Sequence, residues 1–301
     1  MLCDAHVHFF SPGFFDALGA QMGLAAAGRE SAVVAKTGWD DPGSIEALAD
    51  RWIAELDAHG VARAAMIASV PGDETSVSAA VARHPARLVG FFMLDPTQDE
   101  AAERALRAFD SGLRGVCLFP AMHRFALTDA GVDRIFARAA SHPSRPSVFV
   151  HCGALSVGVR KKLGLASPFE MRLGNPLDLH ALAGRYPTVP IIIPHFGAGL
   201  LREALMLADQ CPNVHLDTSS SNGWMRYLPD VTLPQVFRTA LGVVGPDRLL
   251  FGTDSSFFPR GWNKDVFERQ QHALNEAGVD PDTRAKIMGA NFERLFSERT
   301  V

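Results

Sequence analysis

The sequence predicts a single (β/α)8 barrel, and three observations support this fold. Eight short apolar segments, rich in Val, Ile, Leu and Phe, are distributed along the chain. Segments with helical periodicity lie between them, and the total of 301 residues is the length expected of one such barrel. The apolar segments are continuous rather than alternating, which is typical of strands buried on both faces in a parallel sheet.

The predicted strands cover residues 2–8, 62–69, 87–94, 113–119, 147–151, 189–195, 213–218 and 249–253. The predicted helices cover residues 44–59, 99–109, 130–141, 176–186, 200–211, 233–244, 265–276 and 282–296. The helix at 44–59 has the clearest pattern, because apolar residues recur at spacings of three and four before Gly60. A doubly wound open sheet is the rival fold, but no GxGxxG follows the first strand. Since no linker or charge block interrupts the chain, we predict one domain over residues 1–301.

Two connections in this pattern are too long to be simple turns. They span about residues 9–43 and 154–175. Loops of this length in a compact domain are usually functional. Both follow the carboxyl ends of strands, which is the face where barrels build their active sites. We therefore expect both connections to border the functional site or to cover it.

The composition excludes several classes of protein. Hydrophobic residues make up 47% of the chain and charged residues 21%, as in ordinary globular enzymes. The 29 basic residues against 33 acidic ones give a net charge of −4, which argues against a nucleic-acid partner. The four cysteines have no CxxC spacing, and the first residues resemble neither a signal peptide nor a membrane span. We expect a cytoplasmic protein with free thiols.

Metal-ligand residues end four of the predicted strands. His6 and His8 alternate along the first strand, so both imidazoles lie on one face. His151, His195 and Asp254 end three further strands. Because the carboxyl ends of barrel strands converge, we expect these five side chains to form one site for a catalytic divalent metal. In the division of roles that we favour, His195 is the acid/base and the other four are ligands, with Asp254 also able to accept a proton.

Two further carboxylates lie on the same strands. Strand alternation places Asp4 on the same face as His6. Asp217 ends the seventh strand, where it either supports a metal ligand or caps the next turn.

Substrate contacts are expected from loops that follow the strands. Guanidinium groups bind carboxylates bidentately, and aromatic rings wall pockets for planar or apolar ligands. The residues expected to contact the substrate are Phe10, Arg124, Arg172, Trp224 and Arg260.

The chain resembles the amidohydrolase superfamily, and within it the amidohydrolase-2 branch that includes aminocarboxymuconate-semialdehyde decarboxylase. The resemblance rests on Asp4-Ala-His-Val-His8, on Ile191-Ile-Ile-Pro-His-Phe-Gly197 and on Phe251-Gly-Thr-Asp254. The segment 287–296, with Asn291 before its last apolar pair, also resembles the final helix of that branch. The resemblance extends over the whole chain and implies a TIM-barrel enzyme that depends on a divalent metal.

The resemblance also implies roles for individual residues. It makes His195 the catalytic histidine, and it implies as metal ligands His6, His8, His151 and Asp254. Two-metal members of the superfamily carry a bridging carboxylated lysine at the end of strand four. Here that segment reads Gly115-Val-Cys-Leu-Phe-Pro120 and contains no lysine. The departure implies a mononuclear site, with zinc as the first choice of metal.

The branch contains hydrolases, decarboxylases and hydratases, so the resemblance leaves the reaction open. We predict a metal-dependent hydrolase that acts on a small, carboxylate-bearing molecule through a metal-activated water. The alternatives are a non-oxidative decarboxylase (a carboxy-lyase) of an aromatic or unsaturated acid, and a non-catalytic barrel that binds a metabolite. In each case the expected partner is a small molecule, with neither nucleic acid nor membrane, and a homodimer is left open.

Overall fold

The computed structural model describes residues 1–297, and residues 298–301 of the predicted domain lie outside the described residues. Eight parallel strands pair in sequence order. They are β1 Cys3–Phe9, β2 Arg63–Ala68, β3 Leu88–Met93, β4 Gly115–Leu118, β5 Ser147–Val150, β6 Ile191–Ile193, β7 Val214–Asp217 and β8 Leu249–Leu250. The sheet closes because β1 also bonds the segment around β8: Ala5 N donates to the Phe251 carbonyl over 2.8 Å, and His8 N to the Ser255 carbonyl over 2.7 Å. The predicted (β/α)8 TIM barrel is confirmed.

Helices surround the barrel and cover its carboxyl end. They are α1 Pro12–Gln21, α2 Arg29–Thr37, α3 Ile45–Ala58, α4 Glu74–Arg83, α5 Ala101–Asp110, α6 Pro120–His123, α7 Ala130–Ser141, α8 Gly158–Leu163, α9 His180–Arg185, α10 Leu201–Gln210, α11 Leu233–Val244, α12 Lys264–Glu276, α13 Pro281–Ala285 and α14 Asn291–Phe296. A π-helical turn joins α13 to α14, so the predicted helix at 282–296 is one continuous but irregular element. Five helices were not predicted from the sequence. Four of them, α1, α2, α6 and α8, lie in connections that follow β1, β4 and β5, and the fifth, α4, has a buried face of only Ser76, Val77 and Ala80.

The strands bury both faces, which explains their continuous apolar sequences. Phe91 and Phe149 point into the barrel interior. Their neighbours Phe92 and Val148 point outward and join the larger core between the sheet and the helices, which also contains Trp52 of α3. Strand alternation thus divides each apolar run between two cores, as in parallel sheets covered by helices.

β1 contains a bulge that changes the direction of its side chains. Its pairing with β2 is in register up to Asp4 and resumes at Val7 with one extra residue between them. Asp4 consequently lies under Trp262, whose Nε1 donates to Asp4 Oδ2 over 2.7 Å, and Thr253 Oγ1 donates to the same oxygen over 2.5 Å. The expectation that Asp4 shares a face with His6 was therefore wrong. Asp4 instead fastens β1 to the end of β8.

The two long connections pack against each other above the barrel. Phe14 and Phe15 of α1, Val33 of α2 and Leu163 of α8 belong to one buried apolar cluster. Lys36 Nζ donates to the Leu163 carbonyl over 3.1 Å. Hence residues from the connection after β1 and the connection after β5 form a single cap with its own small core.

The state of the cysteines and the absence of a membrane-spanning helix among the described residues both bear on the sequence predictions. All four cysteines are buried and free, as expected. Within residues 1–297, no helix combines the length and the apolar composition that crossing a membrane requires.

Asn291 fastens the last helix to the barrel, and its loss is expected to weaken the fold. The side chain is 2% exposed, and its Nδ2 donates to the Pro246 and Leu249 carbonyls over 2.7 and 2.8 Å. Asn291→Ala leaves both carbonyls without this donor, so the free energy of unfolding in urea should fall by about 1–3 kcal/mol. The exposed Asn275 is the control, and Asn275→Ala should cost less than about 0.5 kcal/mol. Equal losses in the two variants would contradict this role.

Candidate metal centre

Three side-chain donors from β1 and the end of β8 converge at the carboxyl end of the barrel. His6 Nε2 lies 3.3 Å from His8 Nε2. Asp254 Oδ1 lies 3.1 Å from His8 Nε2 and 3.7 Å from His6 Nε2. These atoms form a group of the size that surrounds a metal ion.

Hydrogen bonds on the far side of each imidazole assign its tautomer. His6 Nδ1 lies 2.7 Å from Asp217 Oδ2, a buried acceptor, so this nitrogen carries the proton. Ser69 Oγ gives its only proton to the Ile67 carbonyl over 3.0 Å, so it must accept from His8 Nδ1 at 2.7 Å. In the neutral rings, both Nε2 atoms therefore present lone pairs to each other and to a carboxylate.

This donor set fits a divalent metal. Two imidazole lone pairs and a carboxylate oxygen repel one another at these distances unless a proton or a cation lies between them. Histidine ligands whose second nitrogen donates to a carboxylate or a hydroxyl are the usual arrangement around bound metals. His151 adds a further candidate, because it is 5% exposed and its Nδ1 has no hydrogen-bond partner within residues 1–297.

The electrostatics favour the protonation states that metal binding requires. Burial alone would raise the pKa of Asp254, but the adjacent His8 and His6 hold it well below its usual range. Burial lowers the pKa of His8, His151 and His195. For His6 burial also acts to lower the pKa, but the neighbouring carboxylates, chiefly Asp217, outweigh it and raise the value. Ionised carboxylates beside mainly neutral imidazoles are the ligand states of divalent metals.

His195 lies against the group formed by His6, His8 and Asp254. Its ring stacks on His6 with the centroids 5.0 Å apart, and the His151 ring lies 5.2 Å away on another side. Its Nδ1 lies 2.8 Å from Ser219 Oγ and 3.3 Å from the Ser219 carbonyl oxygen. The ring is therefore held by one edge, which leaves Nε2 on the opposite edge, towards the cavity that His195 lines.

A second group of potential ligands is better explained as a hydrogen-bond network. His6, His195 and Asp217 also bring donor atoms together. His6 Nδ1 already bonds Asp217, His195 Nδ1 already bonds Ser219, and Ser219 Oγ also lies 3.0 Å from His6 Nδ1. Asp217 also accepts from Ser219 N over 2.5 Å, so it both supports His6 and caps the turn. The cap considered for Asp217 is present, and its contact with His6 is the one that support of a metal ligand would use.

The backbone is strained at the two residues expected to do the chemistry. His195 has φ +56° and Asp254 has φ +60°, both in the left-handed region. Such conformations in non-glycine residues cost about 1–3 kcal/mol each and cluster at functional sites. The sharp turns after β6 and β8 aim the two side chains into the cavity rather than along the strands.

These residues line a cavity of about 430 Å³, a volume that suits a small molecule. Phe10 and Arg260, two of the residues expected to contact the substrate, line it. Three other residues expected to contact the substrate do not. Arg172 lies on the surface and pairs with Glu170 over 3.0 Å. Arg124 is exposed at the end of α6. Trp224 is buried, and its indole N–H donates to Asn222 Oδ1 over 3.0 Å. Position after a strand was too coarse a criterion for these three.

The sequence model of the family described as Amidohydrolase (Amidohydro_2) matches residues 3–297. The chain belongs to the amidohydrolase family. This confirms the resemblance found in the sequence motifs. A curated relative, Protein fluG of Emericella nidulans, is 28% identical over an alignment of 174 residues that covers 55% of this amidohydrolase. The match spans only 18% of the relative's own length.

Solved structures show the same fold. The 5-carboxyvanillate decarboxylase of Novosphingobium aromaticivorans, with bound manganese, has a TM-score of 0.66 and 16% identity, covering 99% of this amidohydrolase and 97% of that chain. A putative 2-pyrone-4,6-dicarboxylic acid hydrolase of Pseudomonas putida has a TM-score of 0.62 and 19% identity, covering 98% and 97%. At these identities the likeness concerns the fold.

Several residues of the amidohydrolase site were not found from the sequence. Ser69 and Ser219 hold the imidazoles, and Trp39 and Lys162 line the cavity. Ser69 and Ser219 follow strands, but a serine there carries no distinguishing pattern. Trp39 and Lys162 lie deep in the two long connections, and only the folded cap brings them over the barrel.

Removing the charge of Asp217 is expected to weaken metal binding in this amidohydrolase. Asp217→Asn keeps the shape, but it replaces the anionic acceptor of His6 Nδ1 with an amide. Loss of such a supporting partner typically lowers metal affinity about 10–100-fold. Competition for zinc against a chelator measures the change. The exposed Asp209 supplies the control variant, Asp209→Asn, which should bind like the unmodified protein; matching affinities for all three proteins would contradict the role of Asp217.

Proposed function

We propose that this amidohydrolase is a metal-dependent hydrolase of a small, carboxylate-bearing molecule. One divalent metal, with zinc as first choice, would be held by His6, His8, His151 and Asp254. The observation that supports this proposal is the convergence of His6 Nε2, His8 Nε2 and the Asp254 carboxylate in the lining of one cavity. Imidazole nitrogen with carboxylate oxygen is the donor combination of hydrolytic zinc sites.

When bound, such a metal lowers the pKa of water and polarises a carbonyl group. The protein must then move one proton. His195 is held at Nδ1 by Ser219, so Nε2 is the atom that can accept a proton from the attacking water. Water adds its oxygen to the carbonyl carbon, the bond to the leaving atom breaks, and the proton passes from His195 to that atom. Burial lowers the pKa of His195, so the ring is neutral and able to accept.

A carboxy-lyase is the second candidate, and the position of Arg260 favours it. Arg260 Nη2 donates to the Asp254 carbonyl over 3.2 Å, which places a guanidinium beside the ligand group. A carboxylate bound there would lie next to the proposed metal. In that reaction His195 Nε2 takes a proton from water and passes it to the ring carbon, the bond to the carboxylate carbon breaks, and carbon dioxide leaves with the hydroxide that remains from the water. The decarboxylase among the structural neighbours supports keeping this alternative.

One assay separates the two reactions. Protein loaded with one equivalent of zinc is offered a panel of esters, lactones and amides that bear carboxylates, and in parallel a panel of hydroxybenzoic acids. We expect acid release from the first panel and no carbon dioxide from the second, with both signals absent from chelator-stripped protein. Metal-dependent release of carbon dioxide without hydrolysis would reject the hydrolase in favour of the lyase. Stoichiometric metal with neither activity would support a non-catalytic barrel.

A further inference from the structure

Two cationic side chains line the cavity without an ion-pair partner. Lys162 comes from α8 in the connection after β5, and Arg260 from the segment after β8. Within residues 1–297, neither lies within 4.0 Å of a carboxylate oxygen. In the described part of the chain, Arg260 uses only Nη2 for protein hydrogen bonds, to the Asp254 carbonyl and to Ser256 Oγ, so Nε and Nη1 remain for a ligand.

Aromatic rings, rather than carboxylates, hold the two cations in place. Lys162 Nζ lies 5.9 Å from the centroid of the Trp39 ring, and the Arg260 guanidinium lies 4.5 Å from that of Phe257. Trp39 and Phe257 themselves stack at 4.3 Å with planes 9° apart. This arrangement positions both cations by cation–π contact and, among residues 1–297, leaves them without a carboxylate at ion-pair distance.

The other residues that line the cavity supply little negative charge to balance Lys162 and Arg260. Asp254 is the one carboxylate among the described lining residues, and the proposed metal would take it. Met93, Phe119 and Met122, which end or follow β3 and β4, add apolar surface to the lining. A cavity that combines two cations with aromatic and apolar surface suits a flat molecule with an anionic edge.

We propose that Lys162 and Arg260 form an anion subsite, and that they select a planar substrate carrying an anionic group in addition to the group that reacts at the histidines. The inference rests on the proposed function for the reacting end of the molecule. Arg260 binds the anion from the side of the metal ligands, and Lys162 binds it from the cap. Both residues determine specificity and hold the substrate; neither exchanges a proton with it.

Two inert ligands of equal shape test the subsite. Isophthalate has two carboxylates on a benzene ring, and 3-carbamoylbenzoate replaces one of them with a neutral amide. Titration calorimetry on the zinc-loaded protein should show that isophthalate binds about 10–100-fold more tightly, as charge-assisted hydrogen bonds predict. Lys162→Met and Arg260→Met should each reduce this preference about tenfold.

Two further variants test whether the preference for the dianion depends on Lys162 and on the charge and shape of Arg260. Lys161→Met removes the neighbouring exposed lysine, which does not line the cavity, and should keep the full preference. Arg260→Lys keeps the charge and should retain more of the preference than Arg260→Met does. Equal affinities for the two ligands, or a preference unchanged in both methionine variants, would overturn the subsite.

Metal content and turnover, measured on the same preparations, separate this inference from the proposed function. Bound zinc and hydrolysis without any dianion preference would reject the subsite alone. A dianion preference that depends on Lys162 and Arg260, in protein that hydrolyses nothing, would reject the hydrolase and leave the subsite standing.

Discussion

His151→Ala is expected to remove most of the bound metal and nearly all metal-dependent turnover. His151 is 5% exposed, lines the cavity, and has an Nδ1 without a partner within residues 1–297. Removing one of four proposed ligands leaves a site with too few donors to hold zinc against dilution. Metal per protein after gel filtration, by mass spectrometry, should fall from one equivalent to less than about a tenth, and kcat/KM should fall about 10³-fold or more.

The control for this variant is another histidine of the same kind. Among residues 1–297, the buried Nδ1 of His123 also has no partner, and burial lowers the pKa of this histidine, but His123 does not line the cavity. His123→Ala should keep one equivalent of metal and most of the activity. Full metal content in His151→Ala would refute His151 as a ligand. Equal metal loss in both variants would point to general unfolding.

His195→Gln is expected to separate catalysis from metal binding. The ring is held at Nδ1 by Ser219, and in our proposal His195 is the acid/base group whereas the four ligands are His6, His8, His151 and Asp254. We therefore expect a full equivalent of metal. Loss of a positioned proton-transfer group typically lowers kcat about 10²–10⁴-fold, with a smaller effect on KM. Paired measurements of metal content and steady-state kinetics on one preparation test both halves of the prediction.

Two outcomes would contradict this assignment. Metal loss as large as in His151→Ala would make His195 a ligand, and an unchanged kcat would remove it from the reaction. The exposed His180 on α9 supplies the control variant His180→Gln, which should match the unmodified protein in both measurements.

The sequence was sufficient to predict the barrel and the convergence of the site. Each strand carries a continuous apolar run, because helices cover one face and the barrel interior the other. In a closed parallel barrel the carboxyl ends share one face. Residues as far apart as His6 and Asp254 therefore had to meet once the fold was known, and they do, at 3.7 Å.

The details that orient the site depend on contacts that one sequence does not display. The bulge in β1 turns Asp4 away from the face of His6, and no residue type at that position predicts a bulge. Ser69 and Asp217 fix the imidazole tautomers through side chains from neighbouring strands. Lys162 reaches the cavity only because two long connections pack together. Each of these depends on pairing register or on loop packing, which periodicity does not encode.

We propose that one divalent metal lies among His6, His8, His151 and Asp254. A crystal of the zinc-loaded protein, measured on both sides of the zinc absorption edge, would locate this metal. We expect a single anomalous peak within bonding distance of His6 Nε2, His8 Nε2 and Asp254 Oδ1, at about 2.0–2.2 Å. Three outcomes would contradict this proposal. They are two peaks, a peak bound by His195 and Asp217 on the Nδ1 side of the imidazoles, and no peak in protein that is shown to contain zinc.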